Sequence, residues 1–188
     1  MQKQNKHNKH KNQVRIIGGE LRGRKVRFAD AEGLRPTTDS VRERLFNWLG
    51  QDLTGQTVLD LFAGSGALGF EAASRGAKRV VLVENNRRAA ASLQQQMQEL
   101  RLPEKIEIQS IDAFEFLEKT NEQFDVVFLD PPFVWQGWAE LFMRLERCLH
   151  DGAYIYVEAG DVPVWPDYLL ELNAGRSGVS KYVLLKKK

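Results

Sequence analysis

At 188 residues with 43% apolar side chains, the chain is long enough for one domain with a sizeable hydrophobic core. No apolar run approaches the roughly 20 residues that span a bilayer. The polar, basic start lacks the apolar stretch of a secretory signal. The lone Cys148 excludes an internal disulfide and points to a reducing cytoplasm. Two of the three histidines, His7 and His10, lie in that polar start with only His150 elsewhere, so no Cys/His metal site is expected. The net charge of +2 is unevenly spread: residues 1–35 hold ten Lys/Arg against three acids, a local +7 that leaves −5 for the remainder. A basic arm on a mildly acidic body fits a polyanionic partner, or simply a solubilising tail.

In chain order, residues 1–13 read as a flexible basic tail. Val14–Ile17 and Lys25–Phe28 flank GGELRGR and predict a basic β-ribbon. The turn-rich Leu34-Arg-Pro-Thr-Thr-Asp39 leads into a helix. Ser40 and Glu43 have capping-box spacing there, and Val41, Leu45, Phe46 and Leu49 follow at helical period. From Thr57 apolar strands at 58–62, 80–83, 106–109, 126–129 and 154–158 alternate with helical stretches near 67–75, 86–100, 112–119 and 136–149. That rhythm predicts a Rossmann-like α/β layer structure with a mostly parallel sheet. Two last strands, 168–173 and 179–185, joined by AGRSG, would close the sheet edge as an antiparallel hairpin and bring it to seven strands. The organisation expected is thus a tail (1–13), a ribbon and lead-in (14–39) and a catalytic domain (40–188).

The first strand of the sheet runs into Asp60-Leu-Phe-Ala-Gly64-Ser-Gly66-Ala-Leu-Gly69 and then a helix. This G-x-G-x-x-G spacing permits a tight turn and close backbone approach to a ligand, although the glycines could equally serve only helix–strand packing. Glu84 ends the second strand, 20 residues beyond Gly64, where a carboxylate can accept both hydroxyls of a ribose. Asp60 at the loop entrance would repel a pyrophosphate and suits the cationic end of S-adenosylmethionine; it could also cap the loop through backbone N–H groups. Asp112 and Ala113, just past the third strand, lie at the same sheet edge. Asp112 could accept from an adenine amine or cap the next helix.

The sharpest signal is Asp130-Pro131-Pro132-Phe133 at the end of an apolar strand. The prolines stiffen the turn and carry no N–H, so the local polar groups are mainly acceptors: the Asp130 carboxylate and the Pro131 carbonyl. Such a corner suits an –NH2 group and repels a phosphate, while Phe133 offers a face on which a planar base can stack. The plainer reading is a rigid strand-to-helix connection with Asp130 as a cap. Methyl transfer to an amine needs alignment and electrostatic help rather than a covalent nucleophile. Cys148, in the apolar stretch 141–149, is accordingly expected to be core.

The set Arg15-Ile-Ile-Gly-Gly-Glu-Leu-Arg-Gly-Arg24, Leu34–Asp39 with Arg42-Glu-Arg-Leu-Phe-Asn47, Asp60–Gly69 and Asp130–Phe133 resembles, over nearly the whole chain, the bacterial 16S ribosomal RNA guanine-N2 methyltransferases of the RsmD type, within the class I methyltransferases. The resemblance implies N2-methylation of one guanine in small-subunit rRNA with S-adenosylmethionine, acting on an assembled or assembling subunit. By motif match it implies that Gly64, Gly66, Glu84 and Asp112 hold the cofactor and that Asp130 and Phe133 meet the base; the reading of the residues adds Asp60 and Ala113 to the cofactor side and Pro131 to catalysis. RNA contacts are expected at Arg15, Arg22, Arg24, Lys25 and Arg27, in a monomeric, cytoplasmic enzyme without membrane attachment. A base-N6 adenine methyltransferase would use the same turn and differs only in lacking the N-terminal matches. A protein-glutamine methyltransferase would more usually carry Asn-Pro-Pro-Tyr and needs no basic arm. An NAD-binding oxidoreductase or nucleotide-binding regulator leaves Asp130–Phe133 without a role.

Overall fold

The computed structural model describes residues 12–28 and 37–188. The expected tail up to residue 11, and Leu34, Arg35 and Pro36 of the lead-in, lie outside the described residues. A two-stranded ribbon opens the chain: β1 (Gln13–Arg15) and β2 (Lys25–Arg27) pair antiparallel, with Val14 opposite Val26. The pairing takes in Gln13, which the sequence placed in the tail. Val14, Val26 and Ile16 are buried, so the ribbon is fastened to the body by its apolar face.

Helix α1 (Asp39–Trp48) follows, and here the structure corrects the capping-box expectation. Thr38, in extended conformation, is the N-cap, and no side chain caps the helix. The first turn is organised by charge instead: Asp39 pairs with Arg42 at 2.5 Å and with Arg15 at 3.2 Å, which puts a carboxylate at the positive end of the helix.

The body alternates strand and helix: β3 (Thr57–Asp60), α2 (Ala67–Ser74), β4 (Arg79–Val83), α3 (Arg87–Glu99), β5 (Ile106–Gln109), α4 (Ala113–Lys119), β6 (Phe124–Leu129), α5 (Trp138–Leu145), β7 (Leu149–Ala159), β8 (Leu169–Ser177) and β9 (Ser180–Lys187). The seven-stranded sheet runs β5-β4-β3-β6-β7-β9-β8, parallel from β5 to β7 and antiparallel beyond. This is the Rossmann-like, mostly parallel arrangement expected from the sequence, with an antiparallel edge hairpin. The order reverses at β3, and the crevice at the strands' carboxyl ends there is where open α/β sheets bind ligands.

Alternation along the central strands splits the core between two faces. Val58, Val80, Leu82, Val126, Phe128 and Tyr156 pack on the side of α1, α2 and α3. Leu59, Val81, Val127, Leu129, Ile155 and Val157 pack on the side of α4 and α5. Each such side chain contributes about 1.5–3 kcal/mol by leaving water.

The largest boundary differences from the sequence reading fall in the C-terminal third. The helix expected over 136–149 ends at Leu145, and a 3-10 turn, Glu146–Cys148, leads directly into β7. Cys148 is fully buried there, as expected of core. The final loop shrinks to Gly178-Val179 between Ser177 and Ser180, because pairing with Lys181, Tyr182 and Val183 carries β8 through Ala174, Gly175 and Arg176. Gly178, at φ +59°, supplies the left-handed residue that so short a turn needs.

Candidate active site

The carboxyl ends of β3, β4, β6 and β7 bring four acidic residues to one edge. On the β3–β4 side, Gly66 at φ +76° is the N-cap of α2, and a Cβ there would strike Phe70 and Leu93 at 2.6 Å. The loop that it closes is tied across the crevice: the Gly64 N–H donates to Glu84 Oε2 and the Asn86 N–H to Glu84 Oε1, each at 2.8 Å. Both oxygens keep further acceptor capacity, so Glu84 shapes the glycine loop and remains able to accept from hydroxyls. Asp60, only 2% exposed, accepts from the Gly69 N–H at 3.1 Å. This is the backbone-capping contact, which is compatible with a charge role toward a ligand. Burial pushes the Asp60 carboxyl up to about 7, Glu84 adds to the shift, and N–H donation from Gly69 and Phe62 opposes it.

Asp112 is the N-cap of α4, its Oδ1 accepting from Phe114 N–H at 2.8 Å. The capping role is therefore filled, yet the residue is exposed at the crevice and Oδ2 has no partner among the described residues. Ala113 is buried behind it.

On the β6–β7 side, Asp130 is part-buried and its Oδ2 accepts from the Thr37 hydroxyl at 3.1 Å. Burial holds its carboxyl well above the usual carboxylate range, and the neighbouring Glu158 pushes it further. The Pro131 carbonyl receives no hydrogen bond among the described residues, while the Pro132 carbonyl closes a turn with Trp135 N–H at 2.8 Å. Phe133 is half exposed and Val134 almost fully so. Beside them lies a recess of about 340 Å³ bounded by Pro132, Phe133, Trp135, Trp138 and Gly160. The site offers acceptors, with no Lys or Arg at the glycine loop for a phosphate among the described residues. That fits a cofactor with hydroxyls and cationic groups, and Glu84, Asp112 and the Gly64–Gly66 backbone are the parts that could hold it.

Residues 14–186 match the family described as Conserved hypothetical protein 95. The chain is 41% identical over 181 residues to ribosomal RNA small subunit methyltransferase D of Haemophilus influenzae, spanning 93% of this chain and 94% of that protein. It is 44% identical over 149 residues to the protein of the same name from Escherichia coli K12, spanning 78% of this chain and 75% of that one. This chain belongs to the ribosomal RNA small subunit methyltransferase D family. The solved structure of yhhF from Escherichia coli superposes with a TM-score of 0.85 at 36% identity, covering 94% of this chain and 98% of that one.

Three features of this family member were not assigned from sequence. Thr37 and Glu158 both reach Asp130, one by hydrogen bond and the other by charge. Glu158 had a legible signal: an acid ending an apolar parallel strand at the same edge as Asp60 and Glu84. Trp135 bridges the halves of the site, its ring 5.3 Å from Phe62 of the glycine loop and 5.8 Å from Phe114 beside Asp112. The third is a buried carboxylate, Glu71 of α2, which anchors the ribbon. It accepts from Ile17 N–H (2.8 Å), Gly18 N–H (2.7 Å), Arg42 (3.3 Å) and Arg75 (2.9 Å). A lone acid within Ala67–Ser74 was its only sequence signal.

The ribbon cations Arg15, Arg22, Arg24, Lys25 and Arg27 are all exposed. Arg15 pairs with Asp39; the other four have no acidic partner among the described residues. The ribbon runs from near the catalytic edge, where Arg15 pairs with Asp39 two residues after Thr37, away along α2. Its tip is bound by Ser74, where Leu21 N–H meets the hydroxyl at 2.9 Å, at the far end of α2 from Gly66. Gly66 and Ser74, at opposite ends of the eight-residue α2, are on the order of 12 Å apart.

Proposed function

We propose that this chain transfers a methyl group from S-adenosylmethionine to the exocyclic N2 amine of a guanine in 16S ribosomal RNA, within an assembled or assembling small subunit. The acceptor-only corner carries this reading: the Asp130 carboxylate and the open Pro131 carbonyl stand at the end of β6, the strand next to β3 and its Glu84-tethered glycine loop. The family's name, borne by relatives over nearly the whole chain, agrees with an rRNA substrate.

When bound, the cofactor supplies an electrophilic methyl on a sulfonium. The rest falls to the protein. Glu84 accepts from the ribose hydroxyls, Asp112 through its open oxygen from the adenine amine, and Ala113 and the Gly64–Gly66 backbone leave room for close approach. Asp60 places negative charge beneath the cationic end. Asp130 and the Pro131 carbonyl accept the two N2 hydrogens and aim the nitrogen lone pair. Formation of the N–C bond would break the methyl–sulfur bond and place positive charge on the nitrogen; the Asp130 carboxylate would stabilise that charge and take up the N2 proton that leaves. Phe133 stacks on the extruded base. Residues 40–188 form the catalytic domain and 14–39 an RNA-gripping appendage, in which Arg15, Arg22, Arg24, Lys25 and Arg27 meet phosphates. The enzyme acts as a monomer in the cytoplasm; no helix among the described residues is long and apolar enough to cross a membrane.

The deciding experiment uses small subunits from a strain lacking the gene, incubated with the purified protein and labelled cofactor. Nuclease digestion and mass spectrometry are expected to find N2-methylguanosine at one position. N6-methyladenosine, or label only in protein, would replace this reading.

A further inference from the structure

We infer that Glu158 is a second base-reading carboxylate, accepting the N1–H of the target guanine while Asp130 accepts from its N2 amine. The inference rests on the reading of Asp130 as the amine's acceptor. It starts from register. β6 and β7 are parallel with Leu129 opposite Val157, so the residues that follow, Asp130 and Glu158, leave neighbouring strands at one level. Adjacent strands lie about 4.8 Å apart. Phe128 and Tyr156, two positions earlier, share the α1–α3 face of the sheet, and alternation returns Asp130 and Glu158 to that same face.

Glu158 is only 7% exposed. Its Oε2 accepts from the Tyr156 hydroxyl at 2.8 Å. Burial raises the Tyr156 phenol well above its ordinary value, which keeps it a donor. Its ring is wedged between Phe128 and Tyr182, with centroids at 6.4 and 6.2 Å, so this hydrogen bond fixes where Glu158 points. Oε1 has no hydrogen-bond partner, and Glu158 no ion pair, among the described residues; yet Oε1 is not among the fully enclosed unpartnered atoms. A nearly buried carboxylate with one oxygen unpartnered, beside a second carboxyl, is costly to maintain. A ligand with two adjacent donors would relieve both costs. Phe133 covers this end of β7: a Cβ built on Gly160 would lie 3.6 Å from its ring.

Among bases that carry an exocyclic amine, guanine alone sets a ring N–H beside it. Adenine has the N1 lone pair next to its N6 amine, and cytosine has the N3 lone pair next to its N4 amine. A carboxylate facing either lone pair is repelled. Asp130 alone accepts any amine; Asp130 with Glu158 selects guanine. The Asp-Pro-Pro-Phe turn would then supply the chemistry and β7 the choice of base.

The test uses small subunits reconstituted with RNA that carries either guanine or 2-aminopurine at the methylated position. 2-Aminopurine keeps the N2 amine but replaces N1–H by a lone pair. The parent enzyme should prefer guanine in kcat/KM by about tenfold or more. Glu158→Gln, whose amide can donate to that lone pair, should lose activity on guanine, gain on 2-aminopurine and compress the ratio at least about tenfold, with cofactor affinity unchanged. Equal rates of the parent on both subunits would overturn the inference. So would an unaltered ratio in a Glu158→Gln protein that still binds cofactor. If the variant does not fold, the parent's own preference decides. Absence of N2-methylguanosine from the parent reaction on guanine subunits would instead overturn the reading of Asp130 on which the inference stands.

Discussion

On the cofactor side of the crevice, Asp60, Glu84 and Asp112 each accept from at least one backbone N–H. On the base side, Asp130 and Glu158 are met, among the described residues, by the hydroxyls of Thr37 and Tyr156. Backbone donors are fixed by the fold, so the first three carboxylates are parts of the loops they tie. A hydroxyl rotates, both donates and accepts, and leaves its partner's other oxygen open. The cofactor half is thus built as architecture, and the base half as adjustable chemistry around two neighbouring carboxyl groups. Damage to the first should appear in cofactor binding, and damage to the second in turnover.

Asp130→Ala is the severest way to probe that division. Removing one preorganised stabilising group should cut kcat about 10²–10³-fold while the cofactor dissociation constant stays near that of the parent. Asp130→Asn should also be impaired, because an amide lacks the charge that offsets the developing cation. Single-turnover rates and cofactor calorimetry on the same preparations check both halves, and an Asp130→Ala enzyme that methylates at the parental rate would remove the base half altogether. Glu84→Ala should do the reverse. Losing hydrogen bonds to a charged acceptor costs about 1.5–3 kcal/mol, so cofactor affinity should fall roughly ten- to over a hundredfold. Because Glu84 also holds Gly64 and Asn86, the loop should become more open to amide exchange. An unchanged cofactor affinity in the folded variant would take Glu84 out of the site.

Asp60 sharpens the comparison through pH. With its carboxyl raised to about 7, chiefly by burial, it is largely protonated at pH 6. In the unliganded fold a raised carboxyl contributes stability below its unfolded value near 3.8, and that contribution is lost as pH rises through about 7. A cationic ligand reverses the preference, since it favours the charged form. Cofactor affinity should therefore tighten as pH rises from 6 to 8, by about tenfold, with proton release on binding below pH 7. Asp60→Asn should flatten the profile. Calorimetry in buffers of different ionisation heat reads the proton directly, and a parent profile as flat as the variant's would mean that Asp60 does not sense the ligand's charge.

How much of this was legible beforehand depends on whether the signal was local. The central strands, the glycine loop and the Asp-Pro-Pro-Phe turn are written in consecutive residues, through apolar runs, turn chemistry and missing N–H groups, and each lies where the sequence placed it. Glu158 and Thr37 matter because β7 and the lead-in to α1 come to lie beside β6, and nothing within a window of ten residues encodes that adjacency. The buried Glu71 is similar: its four donors come from residues 17, 18, 42 and 75. The misplaced start of α1 has the same origin: the helix begins at Asp39, whose carboxylate pairs with Arg42 and Arg15, and not behind a Ser40–Glu43 capping box. The ribbon lies between these cases. Its strands and charge were readable, but its position along α2 was not.

That position sets the terms of the weakest but most extended effect. Arg22, Arg24 and Arg27 are exposed, lack acidic partners among the described residues, and stand on a ribbon clamped by Glu71 and Ser74. Arg22 and Arg24 follow Leu21, which is bound to Ser74 at the end of α2 away from Gly66, so contact with phosphates is the role to test. Phosphate contacts position a substrate without reading its sequence, and their contribution falls as salt rises. Neutralising all three arginines should raise KM for the small subunit, leave kcat at saturation and cofactor affinity unchanged, and lower the salt slope of log(kcat/KM) by up to about 0.7–0.9 per lost contact. The clamp makes this expectation firmer than it would be for a loose tail, because little ordering entropy opposes binding by a ribbon already fixed to the body. The measurement is methylation rate across a salt series, for the parent and the triple variant. Coincident curves would reduce the ribbon to a solubilising appendage, and the phosphate contacts would then have to lie on the catalytic edge itself, where exposed Arg44, hydrogen-bonded to Tyr182 next to Glu158, is the first cation to replace.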